Sequence, residues 1–427
     1  MSDLITRLGE YIIDGILDLS PSQTKTLVSE YGIDNISSAV ATLDLVYPTK
    51  VLLSGKTSTE LADVYWNNLI GYEQTRHPEP NRVSLAFPTT KTDLFDWETF
   101  IHKDRKIVFT VTPVDWELYD ELSKCFSEVA KSRAVKKRSS FSMMTAWTQD
   151  REASCTNLLT SSNLALSSAN LKEVQWRRGF EVTGDRPHNV RAIIDLFGAS
   201  TVLDPCGGWG DRMIGAALSN ATEYHCIDPN TGLESSYSEM QKYLKTKRDF
   251  KLTYEINTFE DAKIPTEYYD LIITAPPAFD NERYSAERTQ SVKNGMSFED
   301  WYGEFLIPFV DKCCESLKFG GFMVLSLAEY GLQPYVEALT LYLHGWKLNF
   351  CGIIHTTRTN NSGCYVPRYV YGKPTYKFPY ACRNIYRSAY SKYWSTLAAR
   401  TKQTTLKNMM KTARKHRACD KDYVFVN

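Results

Sequence analysis

The sequence predicts an α/β protein built on a mostly parallel, twisted sheet, and three observations carry that prediction. From about Asn189 the pattern alternates helix and strand. A glycine-rich turn, Cys206-Gly207-Gly208-Trp209-Gly210-Asp211, joins the first strand of this series to a helix. The next strand ends in Asp228, 24 residues after Asp204. Strand, crossover helix and strand make a parallel unit, and such a sheet binds ligands at the carboxyl ends of its strands.

Taken in order, the first element is a helix, expected from Leu4, Ile5, Leu8, Ile12, Ile13 and Ile16 at three- and four-residue spacing and closed by Ser20-Pro21. A second helix begins at Ser58 or Thr59. Residues 106–112 form a β-branched, strand-like run, and 115–133 return to helical spacing through Trp116, Tyr119, Leu122, Phe126 and Val129. Residues 1–150 thus read as a mixed α/β accessory region. The cluster Lys131, Arg133, Lys136, Lys137 and Arg138 is a solvated helix end or a phosphate-contacting patch. Serine and asparagine density over 154–170 reads as loop or linker, which sets a boundary between 1–150 and a core of 151–355. Within the core, 190–197 is an amphipathic helix stopped by Gly198. A short buried strand at 201–204, a helix over 213–218 and a strand at 224–227 follow.

The 427 residues carry 50 Lys+Arg against 50 Asp+Glu, which excludes a uniformly basic packaging protein and an acidic disordered one. No apolar run approaches the roughly 18 residues of a membrane span, and Asp3, Arg7, Glu10 and Asp14 interrupt any secretory signal. An intracellular protein is expected, cytoplasmic or, in a eukaryotic host, nuclear, with no membrane contact. Ten cysteines without a C-x-x-C indicate reduced thiols rather than a disulfide framework or a metal site.

The turn is not the phosphate-cradling G-x-G-x-x-G, and no G-K-S/T follows it. Asp228 stands where a carboxylate accepts both ribose hydroxyls of a nucleoside. A nucleoside cofactor without phosphates fits, and S-adenosylmethionine is one; the alternative is a tight strand-to-helix turn that binds nothing.

The run 202–212, VLDPCGGWGDR, resembles the first motif of class I S-adenosylmethionine-dependent methyltransferases, in particular the nucleic-acid (DNA) amino-methyltransferases. Residues 224–230 resemble their second motif, which supplies the ribose-binding acid. Residues 257–261 resemble the third, which borders adenine, and 270–284 the fourth, the catalytic loop. Residues 179–189, GFEVTGDRPHN, stand where the family contacts the methionine end of the cofactor. The resemblance covers roughly 175–355. It implies a Rossmann-like core that binds S-adenosyl-L-methionine through Arg186, Asp204, Cys206, Gly207, Gly208, Gly210, Asp228, Phe259, Glu260 and Thr274.

In such enzymes the catalytic loop reads Asp, Asn or Ser, then Pro-Pro, then an aromatic. The acceptors draw on the N–H hydrogens of a base amine whose lone pair is delocalised, and the ring stacks on the flipped base. Here the loop is Ala275-Pro276-Pro277-Ala278, without side-chain acceptor or ring. Three readings follow. Phe279 replaces the ring, with Asp280 or Glu282 as acceptor; or the substrate is not a ring amine; or the site is catalytically degenerate and only binds.

From residue 351 onward there are 15 Lys and Arg against two acids, Asp420 and Asp422, interleaved with aromatics from Tyr365 to Trp394. Cations neutralise phosphates and rings stack on bases, so 356–427 reads as a basic, aromatic nucleic-acid recognition region, for DNA ahead of RNA. The bland alternative is that the aromatics close the last strands of the core. The reading is methylation of DNA at an exocyclic amine, adenine N6 or cytosine N4; the alternative is a degenerate methyltransferase fold that binds nucleic acid or serves in an assembly.

Overall fold

The computed structural model describes residues 1–76, 121–136, 141–161, 164–182, 184–279, 282–293, 295–327, 336, 339–340, 342–343, 346–357 and 365–373. They fall into two compact units: Met1–Asn67, Glu121–Gly184 and Asp280–Glu287 in the first, Asn68–Asp120, Asp185–Phe279 and Arg288–Asn427 in the second.

The first unit is mainly helical. Its opening helix, Ser2–Gly9, ends earlier than the isoleucine spacing predicts, because β1 (Ile12–Ile13) and β2 (Ile16–Leu17) form an antiparallel hairpin. Asp14 and Gly15 make the turn, with φ of 50° and 75°. An Asp-Gly pair between β-branched residues is a hairpin signal, and here it outweighs the helical period. Ser20 then starts a helix as well as ending a segment: it forms a capping box with Gln23 on Pro21–Tyr31.

Much of the stretch 154–170, expected to be loop or linker, is helical instead: it falls in Arg151–Ser161 and the start of Ser168–Arg177, after a further helix, Met143–Gln149. Ser142 and Ser167 cap two of these helices, accepting from the amides of Thr145 and Asn170. Ser154 and Ser168 are wholly buried. Cys155, Leu158 and Leu171 pack into one core with Leu4, Leu8, Leu27 and Val40. The expected boundary at 150 therefore falls inside the first unit, where tertiary packing overrides the weak helix propensity of serine and asparagine. Lys131, read as solvated or phosphate-contacting, is buried and lies 3.8 Å from Glu181. β3 (Val135–Lys136) pairs antiparallel with β8 (Glu282–Arg283). The strand expected at 106–112 lies outside the described residues.

The second unit holds a seven-stranded sheet of β4 (Thr201–Asp204), β5 (Glu223–Asp228), β6 (Lys251–Ile256), β7 (Tyr269–Thr274), β9 (Leu317–Ser326), β10 (Asn349–Thr357) and β11 (Tyr365–Gly372). Their order is β10-β11-β9-β7-β4-β5-β6. β6, β5, β4, β7 and β9 are parallel, and β11 is antiparallel to both its neighbours. Consecutive buried residues, such as Val202-Leu203-Asp204 and Leu271 to Thr274, mean that both faces of the central strands are covered. This is the mostly parallel, Rossmann-like sheet that the sequence predicts. Among the described residues no helix is long and apolar enough to cross a membrane.

The expected boundary at 355 falls inside β10, and the first part of the basic, aromatic region closes the sheet. Tyr369 and Tyr371 are buried, and Arg368 is 3% exposed. Lys373 donates to the carbonyls of Cys314 and Leu317 at 3.1 and 2.8 Å. For these residues the bland alternative is the observed one, because ladder pairing of β11 with β9 and β10 buries their side chains. Residues 374–427 lie outside the described residues.

Candidate cofactor site

In the second unit the chain runs from β4 outward through β5 to β6, then crosses to the other side of β4 for β7 and β9. The reversal between β4 and β7 opens a crevice at the carboxyl ends of the strands, where open α/β sheets bind ligands. Asp204, Asp228 and Thr274 close β4, β5 and β7 there.

Two of the three turn glycines are explained by the protein itself. A Cβ on Gly207 would lie 2.2 Å from Cys226 Sγ and 2.6 Å from the Tyr237 hydroxyl; one on Gly210 would lie 2.5 Å from Met240 Cε. β5 and the helix Glu234–Lys247 thus crowd these positions. Gly208 differs: its φ is 59°, and the nearest atom to a Cβ is 3.7 Å away. Gly208 is therefore the least crowded of the three turn glycines. Gly207→Ala should lower stability by about 1–3 kcal/mol through overpacking, and Gly208→Ala by about 1–2 kcal/mol through left-handed strain alone, both read as denaturant midpoints.

Asp228 is partly buried and held in place. Its two carboxylate oxygens accept from the amides of Gly208 at 2.8 Å and Asn230 at 3.0 Å. Burial pushes its pKa up to about 6; the two amides pull the other way, and the nearby charge of Asp204 adds to the rise.

Asp204, wholly buried, belongs to a charge chain. It accepts from Arg212 Nε and from the Tyr224 hydroxyl, each at 2.7 Å, and from the Cys206 amide at 3.3 Å. Arg212 also donates to the Cys206 carbonyl and, at 3.3 Å, to Asp185. Asp185 in turn takes both terminal nitrogens of Arg368. Burial alone would raise the pKa of Asp185, but the guanidiniums of Arg368 and Arg212 outweigh it and hold the carboxyl well below its usual range. Next to it, burial, aided by Arg186, pushes His188 down to about 3, so the imidazole is neutral.

The remaining expected positions divide. Glu260 is exposed beside the site, in a segment gripped by Lys312, whose ammonium donates to the carbonyls of Phe259, Glu260 and Ala262 at 2.5, 2.8 and 2.5 Å. Phe259, expected to border the cofactor, is a core residue against Phe309, with ring centroids 5.3 Å apart. Cys206 is partly buried, and burial raises its thiol well above the usual range. Arg186 caps the helix Pro187–Leu196 through its backbone.

In the loop expected to be catalytic, Pro276 is buried, and Ala275, Pro277 and Ala278 are partly exposed. Phe279, expected to supply the stacking ring, is buried instead against Phe298 and Trp301, at centroid distances of 5.5 and 5.9 Å. An aromatic side chain gains more from this apolar packing than from standing in solvent. Asp280 lies outside the described residues; Glu282 is a residue of the first unit, in β8 opposite Lys136.

Asp185, Arg212 and Arg368 were not singled out by the sequence. Asp185 had a signal, its place beside Arg186 in the methionine-end segment. Arg368 had none, since its partner is 183 residues away.

Two buried side-chain oxygens on the segments around this crevice, Thr274 Oγ1 and Asn189 Oδ1, have no hydrogen-bond partner among the described residues. Buried polar atoms are nearly always satisfied, so such atoms suit a site that takes a polar ligand. With the Asp228 carboxylate beside the least crowded of the turn glycines, this set of polar groups fits a nucleoside cofactor.

No family model and no curated protein matches the chain. Among solved structures it is similar to the M. jannaschii tRNA m1G37 methyltransferase, with 14% identity over 45% of this chain and 52% of that chain and a TM-score of 0.30. It spans about half the length of that enzyme. A SAM-dependent O-methyltransferase from Thermotoga maritima gives 11% identity over 48% and 72% and a TM-score of 0.30. The tRNA (m1A58) methyltransferase of Aquifex aeolicus gives 13% over 45% and 71% and 0.28. Values this low decide nothing about the chemistry of this chain, which its own residues have to carry.

Proposed function

We propose that the second unit binds S-adenosylmethionine and that the protein transfers its methyl group to nucleic acid. The observation that supports this most is Asp228. It is a carboxylate fixed by two amides at the end of β5, beside the least crowded of the turn glycines. Asp228 would take the ribose hydroxyls, the backbone at Gly208 and Cys206 would face the nucleoside, and Glu260 would border the base. Arg186 and the start of the helix Pro187–Leu196 would face the methionine end. The cofactor brings an electrophilic methyl group; the chain binds and orients it.

Nucleic acid is the acceptor class that the Pro-Pro loop suits. The carbonyls of Ala275 and Pro276 can accept the N–H hydrogens of an exocyclic amine, and proline keeps that backbone rigid. The finer reading is DNA at adenine N6 or cytosine N4, with the basic region after residue 373 as the phosphate-binding part. The buried Phe279 favours a second reading, a methyltransferase fold that binds nucleic acid without modifying it, since the loop then lacks a ring to stack on the base.

Incubating the full chain with methyl-labelled S-adenosylmethionine and DNA, RNA or protein separates the readings. Label in nucleic acid is expected, in DNA ahead of RNA. Bound cofactor with label in none of the three supports the second reading, the more so if Ala275→Asn creates activity.

A further inference from the structure

We propose that Arg368, on the antiparallel strand β11, is a positioning residue that latches the segment 185–189 onto the cofactor site. This rests on the cofactor reading above and adds to it a residue from outside the four motifs.

The geometry is specific. Asp185 meets both terminal nitrogens of Arg368, and Arg368 Nη1 also donates to Ser326 Oγ at the end of β9, at 2.8 Å. Asp185 has further duties: its Oδ1 accepts from the Arg186 amide at 2.8 Å, and its own amide donates to Asp211 Oδ2 at 3.0 Å. Its position therefore sets the backbone of the residues that would face the methionine end. Through Arg212, the same carboxylate is tied to Asp204 and to the Cys206 carbonyl, which belong to the glycine turn. Two loops of one site thus hang on two guanidiniums, one from the helix Asp211–Leu218 and one from β11.

Charge explains why both are needed. The side chains of Asp185, Asp204, Arg212 and Arg368 are all 9% exposed or less. Two carboxylates and two guanidiniums balance, and a buried charge is tolerated only when paired. Without Arg368, Asp185 keeps Arg212 alone, and Arg212 must then serve both carboxylates. A bidentate fork also fixes direction as well as charge, which a lysine cannot reproduce.

The test uses the full chain with Arg368→Gln and Arg368→Lys, and Glu223→Gln as a control. Glu223 pairs with Lys251 at 2.9 Å and accepts from the Tyr268 hydroxyl at 2.7 Å at the amino end of β5, away from the crevice. S-adenosylhomocysteine is titrated by calorimetry, and hydrogen exchange follows the amides of Asp185 and Arg186. Arg368→Gln should weaken binding about tenfold or more and unprotect those amides, with Arg368→Lys intermediate. Glu223→Gln should lower the denaturation midpoint slightly with affinity changed less than about twofold. If Arg368→Gln is folded and both affinity and protection match the parent, the latch is wrong; should that variant not fold, Arg368→Lys at parental affinity and protection overturns it equally. If the parent itself binds no S-adenosylhomocysteine while the exchange pattern changes as expected, the cofactor reading fails and the latch stands.

Discussion

Affinity for S-adenosylmethionine should fall about tenfold per pH unit below about 6 and level off above it, because an ionised Asp228 is the acceptor for two ribose hydroxyls. The fold responds in the opposite sense. Burial raises the pKa of this carboxyl from 3.8 to about 6, so the folded chain binds the proton more tightly than the unfolded one. The resulting stabilisation is present at low pH and is lost as pH rises through 6. On the scale of 1.36 kcal/mol per unit it amounts to about 2–3 kcal/mol. The site therefore holds a carboxylate in the form the ligand needs at the expense of local stability, which is the usual direction for a binding group. Asp228→Ala removes two hydrogen bonds to a charged acceptor, each worth about 1.5–3 kcal/mol. Affinity should drop by about a hundredfold or more and the pH dependence should vanish. Calorimetry between pH 5 and 8 on parent and variant measures both; a flat parental profile with unchanged affinity in the variant removes Asp228 from the site.

Arg212→Met should lower global stability by about 3–5 kcal/mol, the largest effect of any single substitution considered. The guanidinium joins Asp204 and Asp185, both buried, and methionine leaves each short of a partner without emptying the space. Asp204 would retain only the Tyr224 hydroxyl and the Cys206 amide. Tyr224→Phe should cost about 1.5–3 kcal/mol, as one hydrogen bond to a charged group. Lys251→Met, at a pair with Glu223 whose lysine is well exposed, should cost less than about 1 kcal/mol. Urea denaturation ranks the three; equal losses for Arg212→Met and Lys251→Met would mean the network carries no stability.

Much of the crevice was legible because its signals are local. The strand ending in Asp204, the turn and the strand ending in Asp228 lie within one βαβ unit, whose hydrophobic pattern and glycines are fixed by neighbouring residues. Even there a sequence shows the glycines but not the Cys226, Tyr237 and Met240 side chains that crowd Gly207 and Gly210. Phe279 looked available because a sequence shows an aromatic beside a loop but not the Phe298 and Trp301 rings that receive it. The serine-rich helices were missed for a related reason. Ser142 and Ser167 act as caps and Ser154 fills a tight contact, roles that composition alone reads as loop.

The charge balance shows the division most clearly. Sequence alone determined the α/β class, the parallel unit, the candidate acid at Asp228 and a basic surplus after residue 350, because each depends on residue type and short spacing. Only the tertiary structure decided what the cations do. Arg368 and Lys373 leave that surplus and enter the fold, one onto Asp185 and the other onto the carbonyls of Cys314 and Leu317. A charge's role depends on the dielectric and the partners around it, and a reversed strand brought residues 183 positions apart into one buried pair.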